Sequence, residues 1–574
     1  MAPTNDNLPR ALDRQPDLEK LPAHTSPSND DTQTGLDNAA PKLDRSISLL
    51  GALGLAYTIT NSWMSYAATF GTSLVDGGGS TAVFTLIIAA AAQWIVLLGV
   101  SEMVSAIPSS GGSYHFVYFL APKRTRNFAS FIVGIINLLA YLIGGVSAMI
   151  YTTMSIFGMV SFWVEGFQPS PWEVYLAYVA VIFLSLIPIF LIPAVKTKRL
   201  TETCLAMSIF CLALFITILA AMGRGRYRPE NLLLHRNLSG WGDSTGWLLS
   251  ISLGMYSFSA SGACVHLAEE VPNPGRSIPI AINGTMALGL STAVPFIIVL
   301  LLGIQDMDAV QNAWIPSLEA FYQATGSKAV ATFLQACLSW LFFSTVSTQW
   351  VSVSRIAWTL ARDNVLPYSS YFTQISPTFH FPVRTTLLSA IFCIIFGLIY
   401  IASSTAFNSV VNLATLLVNI GFTIPQGILA CRRRNRLPPN RWFKLNTWVG
   451  YTVNVFSVMW LILVGVLFCM PTSVPTTKGS MNYGSAVLVG LALLIIIMYA
   501  LRRSSFNGPQ NHCLAVIALS TSPSTSTTPT FHSHSPSHPD PNMNPHPHYP
   551  ESSATQPKAP KSPRSTPTQT AAAH

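Results

Sequence analysis

Twelve stretches of about 20 or more predominantly apolar residues recur along this chain, each long enough to cross a bilayer as a helix. They lie at 47–69, 81–107, 128–161, 172–194, 200–222, 246–268, 279–303, 329–358, 385–403, 406–430, 447–470 and 482–501. A chain of this kind cannot bury so much apolar surface in a water-soluble core. Its residues are 50% hydrophobic and only 10% charged, well below the quarter charged that a soluble domain carries. The predicted class is an all-α integral membrane protein with about 12 transmembrane helices. The third and eighth runs exceed a bilayer's thickness and are expected to tilt or project.

The net charge of +9 does not point to nucleic acid, because the basic residues sit in short clusters between apolar runs. Lys123, Arg124, Arg126, Lys196, Lys198, Arg199, Arg276, Arg355, Arg362 and Arg384 fall on one side. Arg432, Arg433, Arg434, Arg436, Arg441 and Lys444 join them, with Lys42, Arg45, Arg502 and Arg503 at the ends. The excess of Lys and Arg on that side places both termini in the cytoplasm, despite a contrary cluster from Arg224 to Arg236. The sequon Asn237-Leu238-Ser239 then falls in an external loop as a glycosylation acceptor.

Residues 1–45 are polar, with no apolar segment of signal-peptide type, so the first span is expected to direct insertion. Residues 46–503 form the membrane-spanning body, with all 12 apolar runs. Residues 504–574, rich in Ser, Thr, Pro and His, are expected to be a disordered cytoplasmic tail like residues 1–45. The tail histidines His532, His534, His538, His546 and His548 imply no fixed ligand geometry, and the eight cysteines form no CxxC pair. No metal site and no cofactor are expected.

Polar and helix-breaking residues at membrane depth carry the chemistry. The first span holds Tyr57-Thr58-Ile59-Thr60-Asn61-Ser62-Trp63 at its middle, after Gly51 and Gly54; the sixth holds Ser257-Phe258-Ser259-Ala260-Ser261-Gly262, after Gly254. Small hydroxyl-bearing residues bond their own backbone and make poor helix, so each run is a candidate break. Small-residue packing explains either run alone. Two breaks in spans one and six suit a five-plus-five inverted repeat with the substrate between them.

Several further strings stand in order along the chain. They are Ser-Glu-Met-Val-Ser-Ala-Ile-Pro-Ser-Ser-Gly-Gly-Ser-Tyr-His (101–115), His-Leu-Ala-Glu-Glu-Val-Pro (266–272), Ile-Gln-Asp-Met-Asp-Ala-Val (304–310), Ser-Arg-Ile-Ala-Trp-Thr-Leu-Ala-Arg-Asp-Asn-Val-Leu-Pro (354–367), Ala-Ser-Ser-Thr-Ala-Phe-Asn-Ser (402–409) and Met-Asn-Tyr (481–483). With Leu-Gly-Leu-Ala-Tyr-Thr-Ile-Thr-Asn-Ser-Trp (53–63), they make the chain resemble the amino acid/choline transporter family of the amino acid–polyamine–organocation superfamily, and fungal choline permeases most of all. The resemblance spans roughly residues 45 to 502. It implies a leucine-transporter-type fold, broken helices 1 and 6, and secondary transport of a small nitrogenous metabolite by alternating access across the fungal plasma membrane. It also implies an unwound segment from Thr58 to Ser62, a second from Ser257 to Gly262, and Phe258 as an aromatic lid. The substrate-binding set is thus Thr58, Thr60, Asn61, Ser62, Phe258, Ser259, Ser261 and Gly262.

One departure bears on the substrate. The family usually has Asp four residues before the His of the H-x-A-E-E string, where this chain has Gly262. A zwitterionic amino acid or GABA can do without that carboxylate, whereas choline, a quaternary ammonium, needs a carboxylate or aromatic faces. The residues therefore lean to an amino acid and the overall resemblance to choline.

For gating or coupling, the candidates are Glu102, His266, Glu269, Glu270, Ser344 and Thr345, the last two within a span-eight cluster that includes Ser347 and Thr348. A proton is the expected coupling ion. A structural pair with Arg or a helix cap is the favoured reading of each carboxylate, a hydrogen-bonded core role that of His266, and helix packing that of the hydroxyl cluster. A major-facilitator carrier would need a basic signature after span two, which Pro108 to Arg126 does not supply. A nutrient sensor would carry organised cytoplasmic extensions. No nucleophile–base string or phosphate loop points to an enzyme.

Overall fold

A computed structural model describes residues 47–191, 197–379, 381–477, 481–506 and 508–509. The expected terminal tails, apart from 504–506 and 508–509, lie outside the described residues, as do Lys42, Arg45, the tail histidines, Cys513, Lys196 and Lys478. All regular structure among the described residues is helical. In chain order the helices are α1 (Leu49–Thr60), α2 (Ser62–Ala106), α3 (Ser113–Leu120), α4 (Arg126–Trp163), α5 (Pro171–Leu191), α6 (Thr197–Met222), α7 (Asp243–Ser259), α8 (Pro274–Gly303), α9 (Met307–Asn312), α10 (Pro316–Thr325), α11 (Lys328–Arg362), α12 (Ser369–Phe372), α13 (Val383–Ala402), α14 (Ser404–Arg432), α15 (Thr447–Leu467) and α16 (Gly484–Arg502).

Among the described residues, 11 helical segments are long and apolar enough to cross a membrane. The first, Leu49–Ala106, has 58 residues, which as a straight helix would extend about 87 Å against a hydrocarbon core of about 30 Å. It folds back instead. The Tyr66 hydroxyl donates to the Ala82 carbonyl at 2.5 Å, a contact across residues that a straight helix would hold about 24 Å apart. The reversal is at Gly77 and Gly78, where the helical dihedrals fail and Gly78 has φ 78°. The hairpin thus supplies two runs of crossing length, in agreement with the first two apolar runs of the sequence.

Local chemistry accounts for the ends of α1. The Ser48 hydroxyl accepts from the Gly51 amide at 3.0 Å, the usual N-cap. Asn61 ends the helix in the left-handed region, φ 32°, ψ 67°, which Asn tolerates better than most residues. α7 does not end cleanly; it tightens into a 3-10 stretch, Ala260–Leu267. The two long helices, α4 with 38 residues and α11 with 35, exceed a bilayer's thickness, as their apolar runs do. The short α3, α9 and α10 are not apparent from hydropathy, because helices of 8, 6 and 10 residues give too little periodicity to register.

α2, α4, α7, α11 and α14 occupy the interior. α13, α15 and α16 line the outside and present large apolar side chains there, among them Ile395, Ile462 and Ile497. Such a surface suits lipid and not water. Both ends of the described chain lie on one face. The Ile47 amide donates to the Glu270 carbonyl at 3.1 Å, and Arg502 donates to the Asn364 and Leu366 carbonyls. The hairpin tip at Gly77–Gly78 lies one crossing away, on the opposite face.

Candidate functional site

The break after α1 frees backbone carbonyls that a continuous helix would use. The Thr58 carbonyl accepts from the Thr345 hydroxyl of α11 at 2.9 Å, and the Thr60 carbonyl from the Ser65 hydroxyl at 2.7 Å. The Thr60 hydroxyl turns back onto the Ala56 carbonyl at 2.8 Å. Behind the break, Ser208 of α6 donates to Asn61 Oδ1 at 3.0 Å and accepts from the Trp63 indole at 3.1 Å. Thr58 Oγ1, Asn61 Nδ2 and Ser62 Oγ are buried without a partner. At the second break the hydroxyls bond locally, Ser259 to the Tyr256 carbonyl and Ser261 to the Phe258 carbonyl. Ser257 Oγ is buried and unpartnered.

A cavity of about 50 Å³ lies between the two breaks and α4, α11 and α14. Of the substrate-binding candidates, Thr60 and Ser259 line it, and of the coupling candidates, Thr345. Thr58 reaches it only indirectly, through the bond from Thr345. Ser62 and Phe258 sit against Gly289 of α8, on the far side of the breaks from the cavity. Asn61 faces α6, and Ser261 bonds within its own 3-10 turn. Gly262 packs on the Phe422 ring of α14: a Cβ built there would lie 2.5 Å from Phe422 Cζ. Ser344 donates to the Leu341 carbonyl of its own helix.

The cavity is walled by Tyr256 of α7 and by residues absent from the predicted set: Tyr141 and the Gly144–Gly145 pair of α4, Phe342 and Gln349 of α11, and Thr415 of α14. Gln349 is the most informative. Its Nε2 donates to the Tyr141 carbonyl at 2.7 Å, a bond only the NH₂ end can make. Its Oε1 is therefore held as an acceptor, buried and without a donor. The Tyr141 hydroxyl is likewise unpartnered. No charged side chain lines this cavity. A Gln at the centre of an apolar span and a Gly-Gly pair on a facing one are the sequence signals that could have drawn attention to this wall.

The other coupling candidates gather towards the face that carries both chain ends. Glu270 and Arg355 form a two-pronged pair at 2.7 and 3.1 Å, with side chains only 6% and 2% exposed. Glu269 pairs with Arg362 at 2.9 and 3.1 Å. Burial works against ionisation of Glu269, but the Arg362 guanidinium and the Ser110 amide outweigh it and hold the carboxyl below its ordinary range. Glu102 is bound by Arg434 and by Arg441, the latter at 2.8 Å. His266 donates through Nδ1 to the Ser110 carbonyl at 2.9 Å and stands edge-on to the Tyr141 ring, centroids 5.3 Å apart. It thus links the cavity wall to the paired carboxylates. His115, which was not among the candidates, contacts Asp363 at 2.8 Å. Asn237 spends its amide on the Trp241 carbonyl at 2.7 Å and its oxygen on Ser239.

A helical bundle of membrane-crossing length, interrupted in two helices beside a cavity with no charged side chain in its wall, has the make-up of a solute transporter. The chain belongs to the amino acid permease family, whose model matches residues 47–493. It is 28% identical to a choline transporter of Saccharomyces cerevisiae over 80% of this chain and 81% of that protein. It is 26% identical to a swainsonine transporter of Arthroderma benhamiae, over 79% and 90%, and 25% identical to a GABA-specific permease of Saccharomyces cerevisiae, over 82% and 84%. This is a membrane transporter of the amino acid–polyamine–organocation superfamily, moving small polar or charged solutes, and not an enzyme.

Proposed function

We propose that this chain is a proton-coupled secondary transporter with a leucine-transporter-type five-plus-five repeat, carrying an amino acid or GABA by alternating access in the plasma membrane. The observation that carries the substrate reading is the cavity wall: no carboxylate, and one fixed acceptor, Gln349 Oε1, with nothing to accept from. A buried acceptor without a donor costs about 1–3 kcal/mol, which an N–H of a primary ammonium would recover. The trimethylammonium of choline has no N–H to give it. The substrate's carboxylate is met at the ends of the broken helices beside Thr60 and Ser259, which line the cavity, as helix ends and freed amides favour anions.

The volume, about 50 Å³, is well under the roughly 300 Å³ or more of a loaded small-molecule pocket, so the arrangement is a closed one. Loading requires the helices to part, as alternating access supposes. Phe258, Ser261 and Gly262 belong to the site in this scheme as residues that move with the second break.

Choline is the second reading. The Tyr141, Tyr256 and Phe342 rings at the cavity offer cation–π faces, and a relative is named for choline transport. Uptake of radiolabelled choline, GABA, and basic and neutral amino acids by cells expressing the chain, at two pH values, separates the two. Uptake of GABA or an amino acid, stronger at acid pH and weakly inhibited by choline, is expected; saturable choline uptake that no amino acid inhibits overturns the amino-acid reading. Gly262→Asp is expected to gain choline affinity only as far as Phe422 yields. With termini inside and Asn237 outside, a glycosidase should sharpen the protein's gel band, and Asn237→Gln should abolish that change.

A further inference from the structure

The face opposite the chain ends holds a carboxylate that the site above does not use. Asp76 lies in the last turn before the hairpin tip of α2 and is 1% exposed. Neither of its oxygens has a hydrogen-bond partner, and the nearby hydroxyls of Ser73 and Thr81, one on each arm of the hairpin, are also buried and unpartnered.

The charged and titratable groups on the elements packed around the tip are engaged elsewhere. The Tyr66 hydroxyl donates to the Ala82 carbonyl. Arg236 pairs with Asp308 at 2.7 Å. His235 lies 3.5 Å from Asp243 at the start of α7, and Glu230 is exposed. An ionised carboxylate buried without cation or donor is unfavourable by several kcal/mol, and such a group keeps its proton instead.

The tip is closed over by the loop that follows α6. The Leu238 amide donates to the Val75 carbonyl at 2.8 Å, the Arg236 amide to Gly77 at 3.3 Å, and the Ser80 amide to the Leu234 carbonyl at 3.2 Å. Gln311 adds a bond to the Leu74 carbonyl at 3.0 Å. These bonds hold the loop over the tip, with Asp76 buried beneath it.

We propose that Asp76 is a proton-binding site: it carries a proton in this closed arrangement and releases it to water when the 234–238 loop lifts from the hairpin tip. The step transfers one proton from the carboxyl oxygen to solvent and leaves a hydrated carboxylate. In a transporter this makes closure of that face depend on proton occupancy. That last part rests on the transport reading above; the site itself does not.

The test uses the full-length protein in detergent and compares wild type with Asp76→Asn, which keeps the shape and cannot ionise. Infrared pH-difference spectra from about pH 6 to about pH 9 should show a protonated-carboxyl band lost in the wild type and missing in Asp76→Asn. The absence of that band in the wild type overturns the site, as does its persistence in the variant. Its loss on adding sodium at fixed pH overturns it too, in favour of a metal. Should Asp76→Asn fail to fold, Asp76→Ser serves, and the wild-type spectrum alone can still refute the site. Uptake of whichever labelled panel substrate is carried should fall several-fold across the same range in wild type and stay flat in Asp76→Asn. An unchanged pH profile in the variant, with the infrared result intact, refutes the coupling and leaves the site. No uptake by the wild type refutes the transport reading alone.

Discussion

The two faces of this protein treat buried carboxylates in opposite ways. On the face with the chain ends, Glu102, Glu269 and Glu270 each meet at least one guanidinium. On the other face Asp76 meets none. The first arrangement ties together elements distant in sequence, α2 to the loop after α14 and the turn after the 3-10 stretch Ala260–Leu267 to α11, by links between charged groups. The second is stable only while the group is neutral, so a change in protonation there changes the structure. Position relative to a cation, and not burial as such, separates a clasp from a candidate sensor.

The largest expected effect comes from breaking the most buried clasp. Glu270→Gln leaves Arg355 as an unpaired buried cation and should destabilise the protein by about 3–5 kcal/mol, read as a lower melting temperature and poor surface expression. Pairing it with Arg355→Met should restore much of the loss. If the single variant melts like wild type, the contrast between the faces has no energetic meaning.

Next in size is Gln349→Leu, which removes the fixed acceptor while keeping most of the volume. A bond to a charged donor is worth about 1.5–3 kcal/mol, so uptake of an N–H-bearing substrate at low concentration should fall tenfold or more. Inhibition by choline should change little, and equal losses for both would assign Gln349 a purely structural part.

Thr345→Val sharpens the picture of the break itself. It deletes the bond to the freed Thr58 carbonyl at a cost of about 1 kcal/mol. A shift of a few degrees in melting is expected, with weaker transport; no shift in either would mean that the carbonyl finds another donor.

The smallest effect is a pH dependence of opposite sign on the two faces. Because the Glu269 carboxyl is held below its ordinary range, its contribution is present above that range and lost as pH falls through the depressed value. Glu269→Gln should flatten the acid side of a melting-temperature profile and leave the alkaline side unchanged. Asp76→Asn should do the reverse. Identical profiles for the two variants would erase the distinction.

Much of this was legible in the chain. The spans follow from apolar length; the first break is expected over 58–62, but the chain is helical through Thr60 and again from Ser62, and only Asn61, whose side chain tolerates the left-handed backbone it adopts, leaves the helix. The second break is expected over residues 257–262, but the α-helix holds through Ser259 and tightens to 3-10 only from Ala260 to Leu267. A structural role for Glu102, Glu269 and Glu270, as an arginine pair or a helix cap, is legible in the sequence, and the structure makes each an arginine pair; the partner of Glu102 is not legible, since Arg434 comes some 330 residues later. The cavity wall was less legible. Thr60, Ser259 and Thr345 line it, but Gln349 and Tyr141 were passed over, and Gly262 faces Phe422.

By itself, then, the sequence determined the solvent this protein lives in, where its helices begin and fail, and which face gathers positive charge, because these depend on neighbours within one or two turns. Only the tertiary structure decided which polar atoms meet and which are left without partners. Helical periodicity fixes which residues share a face but not how that face is rotated against another helix. A rotation of one residue, about 100°, is enough to take Gln349 Oε1 out of the cavity, or to leave Asp76 without the arginine that Glu102, Glu269 and Glu270 have found across the membrane.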